Sequence, residues 1–103
     1  VFQNELDTLY EKIFKKYQVA KPDIYVRKMK TLWGSCTPSK SKVTFNNYLF
    51  KANLRCIQYV VLHELTHLIY PNHSKQFYDF LTIHMPDWQE RKKQLDTEVV
   101  QGL

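Results

Sequence analysis

The sequence predicts an α+β fold in which helices outnumber strands, on three observations. Residues 54–70 are apolar on more than one helical face, and residues 2–18 repeat apolar side chains at three- and four-residue steps. Between them lie two short runs rich in β-branched and aromatic residues. With 103 residues, 44% of them hydrophobic and only two glycines, the chain has room for one core. The expectation is a single domain, 1–103, standing alone or cut from a longer protein.

Phe2, Leu6, Leu9, Ile13, Phe14 and Tyr17 make one side of an amphipathic helix over 2–18. Lys21-Pro22-Asp23 ends it, since proline cannot continue a helix and biases its predecessor toward extended backbone. Residues 24–32 and 43–50 read as strands. The cluster from Gly34 to Lys42, with Pro38 and three serines, reads as the turn that joins them into an antiparallel hairpin. The next helix is apolar enough to sit at the centre of the domain, with Asn53 as its N-cap and Pro71 as its stop signal. Ser74 caps a third helix through about Met85. Pro86-Asp87 restarts the chain as a last helix carrying Trp88, Arg91, Leu95 and Val99.

No run approaches the roughly 18 apolar residues of a membrane span, and the first residues lack a basic-then-apolar signal pattern. The expected location is cytoplasmic, with Cys36 and Cys56 as reduced, partly buried thiols. The formal charge of +5 is unevenly placed: residues 12–55 carry eleven Lys or Arg against one acid, Asp23. Such a stretch suits a solvated face, or contact with nucleic acid or an acidic polypeptide. The sequence specifies no oligomeric state.

The chemistry is concentrated in His63-Glu64-Leu65-Thr66-His67, an H-E-x-x-H match inside the apolar helix. Imidazoles four residues apart lie one above the other on a helix, close enough to share one tetrahedral zinc ion. Glu64 follows the first of them and leans over the metal, where it can take a proton from an attacking water. Two histidines and a glutamate are costly to bury in an apolar helix without partners, and a metal supplies one. His73 is the leading third ligand. It lies six residues after His67, at the spacing of the metzincin pattern, but Tyr70 stands where that pattern has glycine. Pro71-Asn72 then has to make the turn, with Asn72 a candidate for left-handed backbone. His84 and Asp79 are the rival ligands. Three protein ligands leave the fourth position open, as in a catalytic rather than a structural site.

Several further strings run in order along residues 25–96. They are Trp33-Gly34-Ser35-Cys36, Phe45-Asn46-Asn47-Tyr48-Leu49, Tyr59 through Leu68, Asn72-His73-Ser74, Phe77 and Met85-Pro86-Asp87. Together they resemble the YgjP-like metallopeptidase family, kin to the SprT-like and WLM zinc peptidases of the zincin-like group. The resemblance implies a minimal zincin-like fold, zinc (Zn2+) on His63, His67 and His73, and Glu64 as the base. The family's Trp-Gly-Ser-Cys turn usually follows an arginine, whereas this sequence has Leu32.

In zincins an edge strand beside the active-site helix commonly binds an extended peptide, and residues 43–50 are the candidate, with Asn46 and Asn47 offering polar side chains. Trp33, Trp88 and Met85 are expected to pack in the core. Tyr48, Tyr59, Tyr70 and Tyr78 are candidates for stabilising an oxyanion. Two functions follow: a zinc-dependent hydrolase, a metallopeptidase acting on a peptide or protein, or a non-catalytic zinc-containing module that contacts nucleic acid or an acidic protein.

Overall fold

The computed structural model describes residues 2–30 and 32–98, so Val99 and Thr31, assigned above to the last helix and the first strand, lie outside the described residues. The chain enters as α1 (Phe2–Leu9), which continues through a π-helical segment, Tyr10–Phe14, and a single 3-10 turn, Lys15–Tyr17. It stops at Gln18, whose φ of 60° is left-handed. Phe2, Leu6, Ile13 and Phe14 are buried along one side, as the spacing requires.

Three strands follow: β1 (Asp23–Arg27), β2 (Gly34–Thr37) and β3 (Lys42–Asn46). They form one sheet in the order β1-β3-β2, with β1 parallel and β2 antiparallel to β3. An antiparallel hairpin is present, but its first strand is 34–37 rather than 24–32. Only Pro38–Lys40 and left-handed Ser41, at φ 49°, make its turn. The strand over 43–50 also ends early, at Asn46, and Asn47–Lys51 coil into 3-10 geometry. The candidate edge strand is therefore the central one, and the edges belong to β1 and β2.

Asn46 explains the topology. Between β1 and β2 the chain must cross the end of β3. The Asn46 side chain is 1% exposed and donates to the carbonyls of Met29 and Leu32 at 2.9 and 2.8 Å, while its oxygen accepts from the Tyr48 N–H at 3.0 Å. These bonds contribute about 1 kcal/mol each and tie the crossover loop to the strand it passes.

α2 (Leu54–Thr66) is the hub, in contact with α1, α3, α4 and β2. Asn53 caps it by accepting from the Cys56 N–H at 3.0 Å, and Val61, Leu62 and Leu65 are fully buried. α3 (Lys75–His84) starts on Ser74, whose hydroxyl accepts from the Phe77 N–H. α4 (Trp88–Glu98) is anchored by Asp87, which accepts from Arg55 at 2.8 Å and Arg91 at 2.9 Å. These donors hold its carboxyl below the usual carboxylate range, Arg55 first. Met85 is buried in the core, as expected. No helix among the described residues is long and apolar enough to cross a membrane.

Candidate metal centre

His63, His67 and His73 converge, each with one ring nitrogen, on a space where those nitrogens lie within 4.8 Å of one another. His63 and His67 reach it because four residues on α2 bring side chains back to the same face. His73 reaches it because the helix tightens after Thr66. Leu68 N–H donates to Leu65 and both Ile69 and Tyr70 N–H donate to Thr66, and the chain then folds back before the Ser74 cap. Asn72 is not left-handed: among the described residues only Gln18 and Ser41 have positive φ, so the tightened helix end replaces the metzincin glycine.

The geometry fits a metal. The Nε2 atoms of His63 and His73 are 3.2 Å apart, against roughly 3.3–3.4 Å for neighbouring corners of a tetrahedron built on 2.0–2.1 Å bonds. Burial first, then the charges of its neighbours, pushes His63 down to about 3, and burial lowers His67 as well, so both offer neutral rings with a free lone pair. The other ring nitrogens are held from behind. His67 Nδ1 meets the Tyr70 carbonyl at 3.2 Å and His63 Nδ1 meets the Tyr59 hydroxyl at 3.3 Å. With Nε2 directed to the metal, each Nδ1 carries the proton and donates. Tyr59→Phe is accordingly expected to weaken metal binding about 10-fold, read by competition with a chromogenic chelator.

Phe77, fully buried on α3, forms the apolar floor, its ring centroid 4.9, 4.6 and 5.0 Å from those of His63, His67 and His73. The rival ligands are elsewhere. His84 lies against Phe80 with ring centroids 4.5 Å apart, and Asp79 pairs with Lys75 at 2.7 Å.

Glu64 is 6% exposed, and burial pushes its carboxyl up to about 8; a cation beside it opposes that shift. Its position is set by Gly34 on β2. A Cβ there would stand 3.1 Å from Glu64 Cγ, 3.2 Å from Oε2 and 3.1 Å from the Thr44 carbonyl. Among the described residues no group hydrogen-bonds the Glu64 carboxyl, which is left to face the cleft.

That cleft, about 710 Å³, lies between β2 with its preceding loop and α2, with Lys92, Leu95 and Asp96 of α4 across from them. Trp33 and Trp88 do more than pack. Trp33 lines this cleft and donates to Asp96 at 3.4 Å, and Trp88 lines an adjoining groove. Leu32, 54% exposed, stands at the rim. Asn46 is a structural clamp. Of the tyrosines, Tyr59 and Tyr78 flank the histidines, Tyr70 contributes its carbonyl, and Tyr48 lines neither cavity. Cys36 lies in the cleft as a thiol pushed up to about 12 by burial and by Glu64, and Cys56 is a buried thiol that donates to the Arg91 carbonyl at 3.6 Å.

Gly34 was visible in the sequence as the start of a turn cluster, and both Gly34 and Phe77 as members of matching strings. No spacing rule ties a glycine thirty residues upstream to the helix glutamate, whereas Phe77, four residues after His73, carried a helical signal that read as core.

The family model described as YgjP-like, metallopeptidase domain, matches residues 1–98. No curated protein matches the chain. Among solved structures, the metallopeptidase zymogen of Pyrococcus abyssi, abylysin, is similar at a TM-score of 0.83 and 17% identity, over 96% of this chain and 95% of that one. The zymogen of Methanocaldococcus jannaschii, jannalysin, is similar at 0.75 and 17%, over 92% and 93%. At such identities the likeness establishes the fold.

Proposed function

The chain belongs to the YgjP-like metallopeptidase domain family, metal-dependent peptidases, and on that premise we propose that it is a zinc peptidase whose metal would be held by His63, His67 and His73, with Glu64 as general base. One observation carries the reading: three imidazole nitrogens within 4.8 Å of one another share a cleft with a buried carboxyl that has no other partner. Three neutral nitrogens and no thiolate suit zinc and leave a position open to substrate. When bound, the metal supplies Lewis acidity that acidifies the attacking water and polarises the scissile carbonyl.

The chain's own groups do the rest. Glu64 takes the proton from the water and returns it to the departing amine nitrogen, a role worth about 10²–10⁴ in rate. Gly34 keeps that carboxyl in place. β2, an edge strand whose Gly34, Ser35 and Cys36 line the cleft, offers free backbone groups to an extended peptide, and the peptide is held beside the histidines by strand addition. Exposed Lys30 on the rim, with the other cations of residues 12–55, favours acidic polypeptides over basic ones as substrates.

The test is cleavage of an unfolded protein or peptide mixture before and after chelation. Cleavage should vanish with the metal and return with one equivalent of zinc. Cleavage that survives complete metal removal would falsify the reading.

A further inference from the structure

Across His63 from the cleft, α3 and α4 leave a second groove of about 710 Å³. The two cavities adjoin, sharing Tyr59, His63, Lys92 and Asp96 in their walls. A stack of three rings walls the groove. Tyr59 and Trp88 lie nearly parallel, 6.2 Å apart at 11°, and Trp88 and Tyr78 are 5.5 Å apart at 22°. Each ring is fixed in place: Tyr59 by His63, Trp88 by donating to the Thr82 hydroxyl at 3.0 Å, and Tyr78 by lying over His73 at 6.2 Å. Tyr78 nevertheless remains 39% exposed. The groove's acids are paired, Asp79 with Lys75 outside it and Asp96 with Lys92 on its wall.

An aromatic wall, open to solvent and adjoining a peptide cleft, matches a flat apolar side chain. Because the groove opens at His63, and an extended chain advances only about 3.3–3.6 Å per residue, the side chain entering it belongs to a residue adjoining the scissile bond. We propose that the groove between α3 and α4 is a side-chain subsite of the cleft that selects an aromatic residue next to the bond cut. The proposal rests on the peptidase reading and adds its substrate preference. Packing alone accounts for Tyr59 and Trp88, but not for an exposed Tyr78 ring on the wall of the groove.

The experiment uses zinc-loaded protein and peptides differing only in the residues flanking the scissile bond, Phe, Ala or Asp. Phe peptides are expected to be cleaved with kcat/KM about 10-fold or more above Ala peptides. Tyr78→Ala lowers kcat/KM for the Phe peptide about 10-fold more than for the Ala peptide, and Tyr78→Phe restores the preference; a merely structural role lowers both peptides equally. Calorimetry on Glu64→Gln measures affinity for the same peptides without turnover. Cleavage with no Phe preference overturns the subsite and leaves the peptidase reading standing. No cleavage but tighter binding of Phe peptides by Glu64→Gln overturns the hydrolytic reading and leaves the subsite. Neither cleavage nor preferential binding overturns both.

Discussion

Glu64→Gln is expected to retain one metal per chain and to lose peptide hydrolysis by about 10³-fold. The amide has the size of the carboxylate and fits in the same space beside Gly34, so the helix backbone that carries neighbouring His63 and His67 is undisturbed. What it lacks is basicity. Because no other group hydrogen-bonds the Glu64 carboxyl among the described residues, no neighbouring network has to rearrange, and the loss reports on the proton transfer alone. Metal analysis and single-turnover cleavage of the same preparation separate the two effects. Turnover near that of the unmodified protein would place the base elsewhere.

Gly34→Ala should lower kcat/KM about 10-fold with metal content unchanged. The new methyl meets three atoms at 3.1–3.2 Å. The Thr44 carbonyl belongs to the central strand, paired on both sides, and does not yield. The Glu64 side chain does, by a few tenths of an ångström, and since displacement of a base by about 1 Å costs on the order of 10²-fold in rate, this smaller shift costs about 10-fold. The overpacked fold loses about 1–2 kcal/mol, which leaves it folded. Activity within twofold of the unmodified protein would show that the glycine does not position the base. A proportional loss of metal would show that it acts through the histidines instead.

The helical half of the molecule was legible because its signals are local. Asn53 and Ser74 cap the helices they were assigned to, and the apolar faces of residues 2–18 and 54–66 are buried where the period places them, apart from exposed Tyr17 and Leu54 at their ends. The histidine geometry was legible for the same reason, since a four-residue step on a helix is a distance. The sheet was not. The parallel pairing of β1 with β3 is a contact between distant segments that leaves no local pattern. β2 was hidden by its composition. Gly34 reads as turn punctuation, yet its φ is not positive; it is a strand glycine that makes room for the carboxyl above it. Asn46 and Asn47 looked like polar groups on a cleft, and only the loop that crosses above Asn46 shows what its amide is for. The helix end after Thr66 was expected at Pro71 and comes a turn earlier, because 3-10-type bonds complete the turn that a glycine makes elsewhere.

The edge position of β2 also bears on self-association. A strand left open for a substrate is equally open to a second copy of the chain, and long, flat, apolar edges are where chains join into aggregates. β2 is four residues long, its polar and small residues Gly34-Ser35-Cys36-Thr37 run straight into Pro38, and α2 lies against it. A peptide that needs only a few backbone bonds beside the histidines finds them there. The same brevity leaves a second copy of the chain few backbone bonds to make along this edge.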